Sequence, residues 1–165
     1  IIYGMGAYGL SQRLDISPEE AQNFITNYFV QYPGVNAYMM GTIADAHQKG
    51  YVTTLLNRRR YLPDINSDNR RTREFAERTA INTPIQGSAA DLIKVAMIRI
   101  DAALAQAGCR SAMLLTVHDE LVFEVPPEEA DEVTRVVREI MEGVWQLKVP
   151  LRVNVASGDN WAEAH

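Results

Sequence analysis

The sequence predicts an α+β domain, with helices leading and a small antiparallel sheet following. Three observations carry that prediction. From Ile85 to about Gln106 the pattern is helical, and Ala89, Leu92, Ile93, Ala96, Met97 and Ile100 fall on one apolar stripe. Two β-favouring runs, Met113 to Val117 and Leu121 to Val125, flank the polar break His118-Asp119-Glu120 and read as a β-hairpin. Leu151-Arg152-Val153-Asn154-Val155 alternates apolar and polar residues, as a half-buried strand does.

Taken in order, residues 1–13 are rich in Gly, Tyr and Ala, and Gly4, Gly6 and Gly9 let the chain bend. Ser17-Pro18-Glu19-Glu20 is a helix start, with Ser17 as cap, Pro18 in the first turn and Glu20 completing a capping box. That helix runs to about Tyr32 and stops at Pro33-Gly34. A second runs from about Val35 to Lys49 and ends at Gly50. Tyr51 to Leu56 reads as a short strand broken by Asn57, followed by Arg58-Arg59-Arg60-Tyr61 and a polar loop to Asn69. A helix begins near Arg71. Ser88, Ala89 and Ala90 are small enough for close packing under the later hairpin. Pro126-Pro127-Glu128-Glu129 opens an amphipathic helix to about Glu142, with Val133, Val136, Val137, Ile140 and Met141 on its core side. Gly158-Asp159-Asn160-Trp161 closes the chain as a loop.

The 165 residues suffice for one domain with a core, or for part of a larger one. A content of 47% hydrophobic and 22% charged residues is ordinary for a soluble globular protein. No apolar run approaches the roughly 20 residues that span a bilayer, so no membrane partner is expected. The opening Ile1-Ile2-Tyr3-Gly4 has no initiator Met and no basic signal region, and reads as a cut inside a longer protein. Cys109 is the only cysteine, which excludes an internal disulfide and fits a reducing compartment. A net charge of −5 argues against a nucleic-acid binder. The arginines are nevertheless concentrated at 58–60, 70, 71, 73 and 78, so a basic patch on an acidic whole is allowed.

Chemistry concentrates in three places. The hairpin break lacks the Asn-Gly or Asp-Gly of an ordinary tight turn and sets His118 beside Asp119 and Glu120. Adjacent carboxylates repel, so a divalent cation is the natural compensation; plain polar turn residues are the alternative. Arg58, Arg59 and Arg60 beside Tyr61 suit a phosphate backbone, or else form a solvated charge run. Arg78, Asn82 and Gln86 would share one face of a continuous helix and can hydrogen-bond base edges. Against that, Thr83-Pro84-Ile85-Gln86 is a capping-box pattern that would start a new helix and make Gln86 a cap. On the residues alone the cap is favoured for Gln86, and Asn82 is left open.

Four patterns occur in one order: Tyr3-Gly4-Met5-Gly6, then Arg58-Arg59-Arg60-Tyr61-Leu62-Pro63-Asp64, then Asn82-Thr83-Pro84-Ile85-Gln86-Gly87-Ser88-Ala89-Ala90-Asp91, and Val117-His118-Asp119-Glu120. Together they resemble the C-terminal part of a family A DNA polymerase, of the bacterial DNA polymerase I type, over the whole chain. The resemblance implies later fingers helices in residues 1–70. In 71–165 it implies a palm portion with a long helix, a catalytic hairpin, a covering helix and a final strand. It implies a role in DNA replication and repair in the bacterial cytoplasm, at the nucleoid. The implied reaction is template-directed attack of a primer 3′-hydroxyl on a deoxynucleoside triphosphate, with two Mg²⁺ ions. Asp119 and Glu120 match the metal-binding acids, and His118 a residue near the primer terminus. Tyr3 matches the aromatic that stacks at the template-base position, and Gly4 the residue that lets the fingers open and close. Arg78, Asn82 and Gln86 match contacts to template and primer in the minor groove, which reverses the preference for Gln86 as a cap.

The resemblance also marks absences. The other metal-binding aspartate, on an upstream palm strand, and the Arg and Lys that grip the triphosphate have no match here. The implied partners are therefore primer-template DNA, dNTP and the remainder of a polymerase chain: thumb, first palm strand and N-terminal domains. The isolated chain is expected to be inactive. Three rival readings remain: a non-catalytic duplex-DNA-binding fragment, a nuclease drawing further acids from Asp91 or Glu124, and a piece that folds only when docked on its polymerase.

Overall fold

A computed structural model describes residues 1–164. Helices and short strands alternate in two compact units, Ile1–Ser88 and Ala89–His165.

The first unit begins with a turn at residues 2–4, followed by α1, Ala7–Leu14. The glycines that suggested only a bend thus leave room for a helix, with Gly6 at its start and Gly9 inside it. Helix α2, Pro18–Gln31, carries the expected capping box: Ser17 Oγ accepts from Glu20 N while Glu20 accepts from Ser17 N. Helix α3, Pro33–Lys49, takes Pro33 into its first turn and ends at Gly50, whose φ of +74° is the left-handed C-cap.

The segment expected as one strand and a basic loop is a hairpin. Strand β1, Tyr51–Thr53, pairs antiparallel with β2, Arg59–Tyr61, in the register Tyr51↔Tyr61, Val52↔Arg60 and Thr53↔Arg59. The arginine run therefore stands largely on a strand. Val52, Leu62 and Ile65 pack with Ala46 of α3 and with Ala76 and Ala80, forming the core of this unit.

Helix α4, Arg70–Gln106, is continuous for 37 residues with Pro84 inside it, so no new helix starts at Thr83. Pro84 lacks an N–H, which costs one helical hydrogen bond. Side chains occupy carbonyls nearby: Thr83 Oγ1 donates to Thr79 O at 2.7 Å, and Ser88 Oγ donates to Pro84 O. Ala76, Ala80 and Ile81 are buried before the proline, and Leu92, Ala96 and Ile100 after it. Burial on both sides outweighs the local preference for a break.

In the second unit, β3, Ala112–Val117, pairs antiparallel with β4, Glu120–Glu124. A 3₁₀ turn, Pro127–Glu129, leads into α5, Ala130–Glu142, which starts a few residues later than the proline pair suggests. Leu92, Ala96, Ile100 and Leu104 of α4 meet Val133 and Val137 of α5, and Met113, Leu121, Phe123 and Val125 pack against that cluster. Of the expected stripe, Leu92, Ala96 and Ile100 are buried, Ile93 and Met97 are half-buried and Ala89 is exposed.

The expected final strand is not formed: residues 151–155 belong to no ladder. A strand requires a partner's carbonyls, and here Val153 N donates instead to Glu142 Oε1 at 3.1 Å. No described helix is long and apolar enough to cross a membrane.

Candidate functional site

The site residues fall into a group on the first unit and a group on the second.

On α4, one unbroken helix carries Arg78, Asn82 and Gln86 at four-residue steps, so the three share a face. The capping alternative for Gln86 is thereby overturned. Arg78 and Gln86 are exposed and Asn82 is half-buried. Asn82 Oδ1 is buried with no hydrogen-bond partner.

The β1–β2 loop is tied to this helix at the two residues that follow Gln86. Leu55 N donates to Ser88 Oγ at 2.9 Å, and an Arg58 guanidinium nitrogen to Gly87 O at 3.3 Å. Within the loop, Thr54 O accepts from Asn57 N at 3.0 Å and Thr54 Oγ1 from Arg58 N at 3.1 Å. A Cβ on Gly87 would meet Thr54 Cγ2 at 2.7 Å, so the glycine permits the close approach. Ser88, read from sequence as packing room for the later hairpin, serves the earlier one. An open pocket of about 320 Å³ lies between loop and helix, lined by Thr54, Arg58–Arg60, Thr83, Gln86 and Gly87.

The arginine run is split by the strand, since successive side chains point to opposite faces. Arg59 lies over the Tyr51 ring, 4.8 Å from its centroid, and Tyr51 meets Tyr61 edge-on at 5.8 Å. Arg60 pairs with Val52 and therefore belongs to the other face. The sequence places Tyr61 beside the arginines; that Tyr51 is the ring under Arg59 follows only from the strand pairing.

Tyr3 is 56% exposed, in a turn closed by Gly4 N donating to Ile1 O at 2.8 Å. Gly4 has φ of +80° and lies directly against the aliphatic stem of Arg78.

In the second unit, the hairpin tip is a two-residue loop, His118-Asp119, closed by the pair Val117↔Glu120. Glu120 is therefore the first residue of β4 and not part of the break. His118 takes φ of +55°, a left-handed conformation that histidine enters more readily than most residues. His118, Asp119 and Glu120 are all exposed. A bulge at Leu114 shifts the register, so Met113 lies opposite Phe123 but Leu115 opposite Val122.

The base of the hairpin is held by Glu129. Its carboxylate accepts from Arg110 N and Ser111 N, each at 3.0 Å, and from Ser111 Oγ at 2.6 Å. The Ser111 hydroxyl first, and then the Arg110 amide, hold the Glu129 carboxyl below its ordinary range.

Asp119 and Glu120 bring hard oxygen donors of the kind Mg²⁺ takes. Among the described residues no group of three or more His, Cys, Asp or Glu could hold a metal, so they fit as part of a ligand set. Glu124 stands at the far end of β4, about 13 Å along the strand from Glu120, and cannot add to it.

The model of the family described as DNA polymerase family A matches residues 1–163. DNA polymerase I of Bacillus caldotenax is 54% identical over 164 residues, covering 99% of this chain and 19% of that protein. DNA polymerase I of Mycobacterium bovis is 52% identical over 166 residues, covering 100% of this chain and 18% of that protein. Among solved structures, the POL domain of Pol1 from M. smegmatis, in complex with DNA primer-template and dNTP, superposes with a TM-score of 0.96 at 52% identity. That match covers 99% of this chain and 29% of the other. The chain thus spans about a fifth of the length of the curated relatives it matches. With the match running from the Tyr3 turn through the α4 face to the acidic hairpin and beyond, this chain belongs to DNA polymerase family A.

Proposed function

We propose that this chain carries part of the active site for template-directed nucleotidyl transfer, in which a primer 3′-hydroxyl attacks the α-phosphate of a dNTP. The observation that carries the reading is the hairpin tip: Asp119 on the two-residue loop His118-Asp119 with Glu120 opening β4 beside it, on a hairpin that packs against α4 and α5 through Met113, Leu121 and Phe123. We assign residues 1–70 to fingers and 71–165 to palm.

Asp119 and, to a lesser extent, Glu120 would hold Mg²⁺; when bound, the two ions supply charge stabilisation for the attacking and leaving oxygens. The role of the chain's own residues is geometric. The left-handed His118 turns the tip so that Asp119 projects from the end of the strands. His118 positions the primer terminus and transfers no proton. Tyr3, exposed on its turn, stacks at the template-base position, and Gly4 lets that turn move.

Arg78, Asn82 and Gln86 contact the duplex in the minor groove. Hydrogen-bond acceptors occupy equivalent places there in all base pairs, so donors on one helix face test pairing geometry without reading sequence. Arg58, Arg59 and Arg60 hold the phosphate backbone; the Tyr51 ring supports Arg59, and Gly87 O holds the Arg58 guanidinium. The implied partners are primer-template DNA, dNTP and the rest of a polymerase chain.

Primer extension tests the reading. Asp119→Ala in the intact protein is expected to lower extension by about 10² to 10³-fold or more while fold and DNA binding persist. Extension at the wild-type rate rules the metal role out. Residues 1–165 alone, offering two acids, are expected to extend no primer; template-dependent extension by them would refute that.

A further inference from the structure

We propose that Gly4 is a positioning residue for Arg78: the bare Cα of the Tyr3-Gly4 turn rests on the Arg78 stem and sets the rotamer that presents its guanidinium. The significance for catalysis rests on the reading of Arg78 as a duplex contact.

A Cβ built on Gly4 would lie 2.8 Å from Arg78 Cγ, 3.3 Å from Cδ and 3.6 Å from Cβ. The crowded atom is the first carbon beyond Cβ, not the free end of the side chain. Arg78 Cβ is fixed by α4, so Cγ can retreat only by rotation about χ1. On a helix that rotation has two favoured wells, because the third drives the side chain into the preceding turn. A substituent at residue 4 therefore forces a change of rotamer and carries the guanidinium away from its place. That place is defined at the other end too: Arg78 Cζ lies 6.0 Å from the centroid of the Phe75 ring, which is 64% exposed one turn earlier on the helix. The turn that displays Tyr3 is thus the turn that holds Arg78. The group assigned to the template base and the first of the three helix-face donors are set by one piece of backbone. Gly4 serves twice, through its φ of +80° and through the space it leaves.

Four forms of the intact protein test this: wild type, Gly4→Asn, Arg78→Ala and the double variant. Asn is chosen because it enters the left-handed region more easily than other residues with a Cβ. Arg78→Ala removes Cγ and Cδ and reopens the space. Primer-template affinity is measured by fluorescence anisotropy at fixed salt. Each single variant is expected to bind about tenfold more weakly, and the double variant no more weakly than Arg78→Ala alone. Penalties that multiply in the double variant overturn the proposal, and a general folding defect from Gly4→Asn would give that result. Crystal structures of wild type and Gly4→Asn supply a readout without DNA: a changed Arg78 rotamer is expected, and an unchanged one overturns the proposal. If the rotamer changes while Arg78→Ala binds DNA as wild type does, the steric link stands and the duplex-contact reading fails.

Discussion

The two hairpins have the same parts and use them in opposite ways. Each is a two-stranded antiparallel ladder with one left-handed non-glycine residue in its loop, Asn57 at φ of +61° and His118 at +55°. In β1–β2 the loop is fastened, by Ser88 Oγ to Leu55 N and by the bonds of Thr54 to Asn57 and Arg58, and Arg59 and Arg60 stand on the strand. In β3–β4 the base is fastened, by Glu129 on Arg110 and Ser111, and His118 and Asp119 stand on the loop with Glu120 next to them at the start of β4. Side chains on a strand inherit its alternation, so Arg59 and Arg60 are offered to two faces. Side chains at a tip project together. The proposed roles follow that division: a phosphate backbone for the first hairpin, and part of a metal-ligand set for the second.

The largest expected effect on this contrast comes from unfastening the first loop. Gly87→Ala would raise helix propensity by about 0.5–1 kcal/mol, but its methyl meets Thr54 Cγ2 at 2.7 Å. Thr54 is buried and branched at Cβ, so it does not yield cheaply. A net loss of roughly 1–3 kcal/mol is expected in chemical denaturation. Thr54→Ser, which removes Cγ2 and keeps the hydroxyl that accepts from Arg58 N, should restore most of it. Failure of that rescue would place the strain elsewhere.

The second hairpin can be released by acid. Glu129 has a lowered pKa in the fold, so its contribution is full above the ordinary carboxylate range and is lost as pH falls through the lowered value. Thermal melts of wild type and Glu129→Gln, taken from about pH 7 to about pH 3, should show a gap in favour of wild type that closes toward acid. A gap that stays constant would mean that the ionised form contributes nothing special.

The smallest effect separates strain from use. Glycine relieves the left-handed cost at either loop but adds entropy to the unfolded chain, so Asn57→Gly and His118→Gly should each alter stability by only a few tenths of a kcal/mol. Their consequences for primer extension should differ: Asn57→Gly is expected to leave it unchanged, and His118→Gly to weaken it. Equal behaviour in extension assays would remove the proposed division between a fastened loop and a working one.

Much of this was legible in the residues. Ser17, Pro18 and Glu20 specify the start of α2 through groups three residues apart. Gly50 ends α3 in its own left-handed conformation. The apolar runs on either side of His118-Asp119 announce their hairpin, and the four ordered motifs announce the family. The caps and the hairpin rest on near neighbours, and near neighbours are printed side by side in a sequence.

What only the tertiary structure decided depends on partners far along the chain. Pro84 and the capping-box pattern after it argue locally for a helix break. Ala76, Ala80 and Ile81 before it and Leu92, Ala96 and Ile100 after it are buried, and they hold α4 in one piece. Whether Gln86 caps a helix or shares a face with Arg78 and Asn82 follows from that burial. The bulge at Leu114 inverts the alternation of β3, a shift visible only against the register of β4. The partner of Ser88 lies 33 residues before it. Residues 151–155 have the alternation of a strand and join no ladder; the amide of Val153 goes to Glu142 instead. Local chemistry proposes a conformation; the burial and hydrogen-bond partners supplied by distant residues decide whether it is kept.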